Sequence, residues 1–198
     1  ALGYTMVYGI IKLINFAHGD IYMVGAYIGF FAITQAHLSV VPALLISLVV
    51  TGFLGMLVER LAYKPLRHAP RISVLITAIG VSFFLEYTTM YFVSPTPRTF
   101  PAMFGDVAVT VGGIVINGQQ MLILGITAVL MVILTYIVQK TKTGKAMRAA
   151  SFDTETAELM GINSDRIISI TFGIGSALAA VAGVLVGIYY NSIDPLMG

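Results

Sequence analysis

The sequence contains neither cysteine nor tryptophan, and only 10% of its 198 residues are charged. The lack of cysteine excludes disulfide bonds, zinc–thiolate sites and thiol catalysis. A soluble domain is typically about 25% charged and about 45–50% apolar, whereas 58% of this chain is hydrophobic. So few charges cannot cover a water-soluble globule of this length. The composition therefore predicts a protein whose main solvent is lipid.

Several functional signatures are missing as well. The net charge is only +2 and no basic run is interleaved with aromatic residues, which argues against a nucleic-acid partner. Gly144-Lys145 is followed by Ala146, so the phosphate-binding P-loop is absent and no cofactor is predicted. An intramembrane enzyme would need a nucleophile or converging metal ligands, and the sequence has neither a zinc-binding HExxH motif nor the serine motif of hydrolases.

Six apolar stretches are candidates for membrane-spanning helices. A span needs about 20 mostly apolar residues, and backbone groups in lipid must bond within their own segment, which favours helices over strands. The candidate spans are residues 1–14, 21–36, 40–58, 72–93, 121–138 and 167–190. We expect an all-α polytopic membrane protein with a single transmembrane domain over residues 1–198, truncated at both ends. The first span is expected to be cut and the second to be short.

Basic residues are concentrated in two of the loops, and this predicts the orientation. Nine of the eleven Lys and Arg residues are Arg60, Lys64, Arg67, Arg71, Lys140, Lys142, Lys145, Arg148 and Arg166. Positive charge marks cytoplasmic loops. Two spans separate these two loops, so both loops can lie on the same, cytoplasmic side of the membrane. The loop 94–120 is then extracytoplasmic. Within it, alternating residues around Gly112-Gly113 predict a small β-hairpin.

The cytoplasmic loop 139–166 is polar and amphipathic. Asp153 is a candidate N-cap, Gly161 is a candidate left-handed stop, and acidic residues occupy the first turns between them. These signals predict a short surface helix over residues 154–160. We expect its apolar residues to be exposed, either as a connector that rests on lipid headgroups or as a plug for a partner protein; they are Ala157, Leu159 and Met160.

Three stretches carry a resemblance to a known family: "GYTMVYGIIKLINFAHGDIYMVGAYIGF", "ERLAYKPLR" and "AELMGINSDRIISITFGIGSALAAVAGVL". They resemble the LivH-type permease of bacterial branched-chain amino acid ABC importers. The third is similar to the cytoplasmic loop that importer permeases insert into their ATPase, whose motif is Glu-Ala-Ala, three residues, then Gly. Glu155, Ala157 and Gly161 occupy those places, with Thr156 instead of the middle Ala.

The resemblance implies a transport subunit of the bacterial inner membrane with no catalytic activity of its own. It implies half of a translocation path for leucine, isoleucine or valine, and an ATPase stroke received through residues 153–165. The implied partners are a LivM-like second permease, two cytoplasmic ATP-binding subunits, an extracytoplasmic amino-acid-binding protein and membrane lipid. Two alternatives stay open: a related permease for urea or short-chain amides, and an ion-coupled secondary transporter.

The polar stretch "NFAHGD" allows two interpretations. In the first, Asn15 and Gly19 end one helix and Asp20 caps the next. In the second, a broken or re-entrant helix near residues 15–20 lines the substrate pathway, because interrupted helices often form transporter sites. Asn15, His18 and Asp20 would then offer donors and acceptors to a zwitterion. One His and one Asp do not make a metal site.

Glu86 and the small residues of two spans complete the candidates. An acid inside a span is costly, so Glu86 is expected to line the pore, contact a subunit, snorkel to water or form an internal pair. Small residues recur at helical spacing and predict close helix packing; they are Gly25, Gly29, Ala179, Gly183 and Gly187.

Overall fold

The computed structural model describes residues 2–11, 15–67, 69–100, 108–111 and 114–198, and most of these are helical. The α-helices in this part of the chain are α1 (Leu2–Ile11), α2 (Ala17–Thr34), α3 (Val40–Val58), α4 (Arg71–Phe92), α5 (Gly118–Lys140), α6 (Lys142–Phe152), α7 (Thr154–Leu159) and α8 (Ser164–Tyr190). Helix α3 continues without a break into a π-helical turn, Glu59–Tyr63, and a 3₁₀ turn, Lys64–Leu66.

Two small antiparallel sheets complete the described residues. Strand β2 (Ala108–Val111) pairs with β3 (Ile114–Asn117), with Val111 opposite Ile114. The sheet lies where the sequence predicts a hairpin, but Gly112-Gly113 lie outside the described residues, so the hairpin and its extracytoplasmic placement stay predictions. The second sheet was not predicted. It pairs β1 (Arg98–Thr99) with β4 (Ser192–Ile193), next to the end of α8.

Four helical segments in the described residues are long and apolar enough to cross a membrane. They are Val40–Leu66, Ile72–Phe92, Gly118–Lys140 and Ser164–Tyr190. They correspond to four of the six predicted spans. The other two are represented by α1, with ten residues, and α2, with eighteen. A ten-residue helix is only about 15 Å long, so the count of six spans stays a prediction.

Helix α8 is the centre of the helical packing. It contacts α1, α2 and α3, and small residues make these approaches possible. A side chain at Gly25 would overlap Ala180, one at Gly29 would overlap Val184, and one at Gly183 would overlap the carbonyl of Tyr22. The contact of Gly25 with Ala180 is followed, four residues later in both helices, by that of Gly29 with Val184. Helices α2 and α8 therefore run parallel.

Two of the buried apolar clusters lie along most of the length of α8. Near its C-terminal end lies a cluster that includes Phe30, Phe100, Val184, Ile188 and Ile193. Near its N-terminal half lies another, made of Val7, Val58, Tyr63, Val74, Ala78 and Phe172. Helix α5 has no buried residue, so it lies at the periphery of the bundle.

The break before α2 lies earlier than predicted. The sequence predicts it at residues 15–20 with Asp20 as a cap. Instead α2 begins at Ala17, and both Gly19 and Asp20 lie in its first turn. Phe16 precedes the helix with helical dihedrals and no side-chain cap bond, while the His18 N–H donates to the Asn15 carbonyl at 3.2 Å. A backbone bond therefore begins the helix, and residues 12–14 lie outside the described residues.

The loop 139–166 contains two helices where one was predicted. Helix α6 was missed because its "KTGK" start resembles a turn. Thr141 ends α5 and caps α6, accepting a bond at 3.0 Å from the Gly144 N–H. Gly144 itself is required there, since a side chain would overlap the carbonyls of Ile137 and Val138.

Candidate functional site

Helix α2 begins half-way along α4 and α8 rather than at their ends. In its first turn, Asp20 accepts a hydrogen bond at 2.5 Å from Ser82, which lies in the middle of α4. His18 lines the same cavity as Leu178, near the middle of α8. The start of α2 therefore lies level with the middle of two helices that are long enough to cross a membrane.

A cavity of about 400 Å³ lies beside this helix start, between α1, α2, α5 and α8. Its lining residues are Gly3, His18, Gly19, Tyr22, Thr127, Leu130, Leu178, Ala179, Val181, Ala182 and Leu185. Cavities that bind small molecules commonly have volumes of about 300–1,000 Å³, apolar walls and a few polar groups. Here His18, Tyr22 and Thr127 provide the polar side chains. The cavity therefore has the size and chemistry of a small-molecule site.

His18 and Asp20 do not face the same site. Two residues along a helix correspond to about 200° of rotation, so these side chains leave α2 in nearly opposite directions. His18 faces the cavity and stacks edge-on with Tyr4, with ring centroids 5.6 Å apart. Asp20 is buried on the side of α4. The structure thus separates two residues that the sequence placed together.

Glu86 also lies away from the cavity. It is half-buried on α4, four residues after Ser82 and therefore on the same face of that helix. Glu86 forms no ion pair with any residue that the structure describes. Of the four residues proposed from the sequence for the substrate pathway, only His18 lines the cavity.

Asn15 is buried just before α2 and contacts the π-helical turn that follows α3. The hydroxyl of Tyr63 donates to Asn15 Oδ1 at 2.6 Å. The Tyr63 ring packs against Phe172 of α8, with centroids 5.2 Å apart. Asn15 Nδ2 is buried and has no hydrogen-bond partner within the described part of the chain. Tyr63 was not identified from the sequence, because nothing local shows that it reaches a residue 48 positions away.

Helix α7 has a defined start and stop. The carboxylate of Asp153 accepts from the Thr156 N–H at 3.1 Å, and Gly161 adopts a left-handed φ of +84°. After the turn, the Ile162 N–H donates to the Ala157 carbonyl at 3.0 Å. These bonds fix the short helix against the start of α8.

The exposed face of α7 is partly apolar. Leu159 is 87% exposed and Met160 is 80% exposed, with Phe152 of α6 similarly exposed nearby in sequence. We call Phe152, Leu159 and Met160 the coupling surface, after the role that the family resemblance implies for this loop. The expectation that Ala157 is exposed was wrong. It is 4% exposed and packs in a cluster with Met147, Ala150 and Ile167, because α7 lies on α6 and α8 through this side.

Behind α7, a charged network joins the end of α3 to the first turns of α8. Glu59 is fully buried and accepts hydrogen bonds from Arg67 and Ser169. Arg67 also pairs with Asp165, and Lys64 contacts Asp165 at 2.9 Å. From the sequence, Lys64 and Arg67 were used only to predict the orientation of the chain in the membrane. The sequence did offer one sign of this network: Glu59 follows an apolar span directly, and Arg67 lies eight residues later.

The whole chain is similar to permease proteins of branched-chain amino acid transport systems. The model of the family described as the permease component of branched-chain amino acid transport systems matches residues 1–198. The BraD permease protein of a high-affinity branched-chain amino acid transport system from Pseudomonas aeruginosa is 43% identical, over 100% of this chain and 68% of that protein. The LivH permease protein of Escherichia coli K12 is 39% identical over the same shares.

The likeness extends to an archaeal relative. A probable branched-chain amino acid transport permease protein, LivH, from Methanocaldococcus jannaschii is 27% identical over 100% of this chain and 64% of that protein. No solved structure matches this chain.

Proposed function

Because this chain belongs to the family of permease components of branched-chain amino acid transport systems, we propose that it forms half of the path by which an ATP-driven importer moves leucine, isoleucine or valine across the bacterial inner membrane. The chain is a multi-pass membrane protein and a transport subunit rather than an enzyme. In this proposal six helices span the membrane, counting α1 and α2 as parts of spans.

The observation that carries the proposal is the cavity beside the start of α2. Leu130, Leu178 and Leu185 form much of its apolar wall, which suits a branched aliphatic side chain. The N-terminus of α2 carries a partial positive charge that attracts a carboxylate. Helices that begin inside the membrane and point this end at a substrate carboxylate are a recurrent feature of transporters.

The polar side chains of the cavity complete a site for a zwitterion. We propose that His18 contacts the substrate, and that Tyr22 and Thr127 supply further hydrogen-bonding groups. Asn15 orients the start of α2 through Tyr63. Asp20 and Glu86 lie toward α4, outside this cavity, and we assign them no contact with substrate there.

The coupling surface is proposed to receive the ATPase stroke. Phe152, Leu159 and Met160 are large apolar side chains exposed on a polar loop, and the surrounding basic residues predict the cytoplasmic side. Docking into a cleft of a separate ATP-binding subunit would bury them. Glu155 and Gly161 belong to the same loop. Two such subunits, a LivM-like second permease and an extracytoplasmic amino-acid-binding protein complete the proposed importer.

We propose that the cavity favours a branched aliphatic side chain over urea or a short-chain amide. Urea and short-chain amides carry little apolar surface, so they would leave the three leucine side chains without matching contacts. A branched aliphatic side chain would cover them. An ion-coupled secondary carrier, in turn, has no need of an ATP-binding subunit, and co-purification of such a subunit with the full transporter separates the two classes.

The test is a histidine substitution in the complete transporter reconstituted in proteoliposomes. His18→Asn should reduce leucine uptake about tenfold, the effect of losing one well-placed hydrogen bond of about 1.4 kcal/mol. His37→Asn is the matched control, since His37 is exposed with a φ of 51° that Asn tolerates. Equal uptake by the two variants, or competition by urea as strong as by isoleucine, would overturn the proposal.

A further inference from the structure

The segment from Glu59 to Arg67, which follows α3, contacts α8 through side chains at regular spacing. Glu59 bonds to Ser169, the Tyr63 ring packs on Phe172, and Arg67 pairs with Asp165. The three residues of the segment are four positions apart, so they share one face. We call Glu59, Tyr63 and Arg67 the relay residues. Together they fasten the end of α3 to the N-terminal turns of α8.

The burial of the Glu59 carboxylate depends on these contacts. Its side chain has no exposed surface, and burial of a charge is costly unless it is paired and hydrogen-bonded. Arg67 supplies the opposite charge and Ser169 supplies a hydroxyl donor. Arg67 is also shared with Asp165 on the first turn of α8. A movement of that turn therefore acts directly on the end of α3.

The first turn of α8 is itself tied to the coupling helix α7. Asn163 caps α8 by accepting from the Arg166 N–H at 2.9 Å, and the Ile162 N–H bonds back to Ala157 of α7 at 3.0 Å. Ala157 and Ile167 share one buried cluster. Only a few residues separate the end of α7 from Asp165, so α7 and the first turn of α8 are joined by the backbone as well as by these contacts.

At its other end the relay reaches the start of α2. The Tyr63 hydroxyl donates to Asn15 Oδ1 at 2.6 Å, and both side chains are buried. Asn15 in turn accepts the backbone bond that begins α2, from the His18 N–H. Tyr63 lies within a π-helical turn whose closing bond runs from the Lys64 N–H to the Glu59 carbonyl. Single π turns inside helices are frequent at functional sites.

We propose that Glu59, Tyr63 and Arg67 are positioning residues that transmit the movement of α7 to the start of α2, and so to His18 and the cavity. The inference rests on the proposed function, an ATP-driven permease. The contacts form one continuous physical path from the coupling surface to the cavity: α7, the first turn of α8, the segment from Glu59 to Arg67, Asn15 and then α2. Coupling between distant sites requires such packed and hydrogen-bonded connections.

The experiment uses the complete transporter with its ATP-binding subunits and binding protein in proteoliposomes. ATP hydrolysis and leucine uptake are measured in the same preparation. Tyr63→Phe removes only the hydroxyl that reaches Asn15 and keeps the ring on Phe172. We expect the ratio of leucine imported to ATP hydrolysed to fall about threefold to tenfold, the factor given by one hydrogen bond of ordinary net strength, while hydrolysis stays near the wild-type rate.

Controls separate transmission from simple loss of structure. Tyr136→Phe makes the same chemical change on an exposed tyrosine of α5 and should leave the ratio unchanged. Asn15→Ala removes the other half of the bond, so the double variant with Tyr63→Phe should be no worse than the more severe single variant. A lower ratio in the double variant, equal to the product of the two single effects, would overturn the proposal.

The remaining outcomes are also decisive. An unchanged ratio in Tyr63→Phe, or a parallel fall in hydrolysis and uptake, means that Tyr63 only supports the fold. Glu59→Gln tests the other end of the relay and should lower the same ratio. If the wild-type transporter shows no ATP-dependent leucine uptake at all, then the proposed function fails, which is distinct from failure of the relay.

Discussion

Gly25 of α2 lies directly against Ala180 of α8, so close that a side chain at Gly25 would overlap both the Cα and the Cβ of Ala180. On the neighbouring side, Ser47 of α3 donates to the Gly25 carbonyl at 2.6 Å. Three helices therefore meet at one glycine. The parallel packing of α2 on α8 holds the start of α2 at the depth where the cavity lies.

This contact predicts a stability effect. Gly25→Val should lower the free energy of unfolding by about 1–3 kcal/mol, because the added methyl groups force α2 and α8 apart. The measurement is thermal unfolding of the purified protein in detergent. Gly80→Val is the control, since a Cβ added there would have no atom within 4 Å apart from the backbone of its own helix. Equal shifts in the two midpoints would show that the packing of α2 on α8 is loose.

A second prediction concerns the turn between α7 and α8. Gly161 has a φ of +84° and open space around it, so the cost of a side chain there is backbone strain of about 1–2 kcal/mol. Gly161→Val should keep capture of the binding protein but reduce uptake relative to ATP hydrolysis, because α7 would lose its fixed position on α8. The measurement is uptake and hydrolysis in the same proteoliposomes.

The matched control for this turn is Gly125→Val. Gly125 lies within α5, and a Cβ added there would also have open space around it, so the substitution adds bulk without backbone strain. If Gly161→Val lost uptake and hydrolysis to the same degree, the turn would be needed for assembly rather than for coupling.

A third prediction tests the coupling surface. Leu159→Asp places a charge where an apolar side chain is expected to dock, and it should reduce co-purification of the ATP-binding subunits at least about tenfold. The fold should be unaffected because Leu159 is almost fully exposed. Leu196→Asp is the control. Leu196 is also exposed, but it follows the end of α8 that is predicted to lie outside the cell. Loss of the subunits in both variants, or in neither, would argue against this surface.

The long helices could be predicted from sequence because their signal is local. Apolar length alone located α3, α4, α5 and α8 to within a few residues. The cap at Asp153 and the left-handed stop at Gly161 also lie where short-range chemistry placed them. Helix α6 was missed because Gly144 serves a close backbone approach, which the sequence alone does not distinguish from a turn.

The candidate site was less predictable because its contacts join distant residues. Glu59 and Ser169 are 110 positions apart and Arg67 and Asp165 are 98 apart, so neither bond leaves a local pattern. The stretch "NFAHGD" does contain the start of α2, although the helix begins earlier than predicted. It did not reveal that His18 and Asp20 face opposite sides of α2. Both residues must lie within the helix for that to follow, and Phe16 gives no capping signal that would place the helix start before them.

The most direct test places the loop 153–165 relative to the membrane. Since the chain has no cysteine, Glu155→Cys and Thr96→Cys each introduce a single thiol at an exposed position. A membrane-impermeant maleimide should label Glu155→Cys only from the cytoplasmic side, in inside-out vesicles, and less when the ATP-binding subunits are bound. Thr96→Cys should label only from the opposite side. Labelling of Glu155→Cys from the extracytoplasmic side would contradict the account, because no cytoplasmic ATPase could then reach α7.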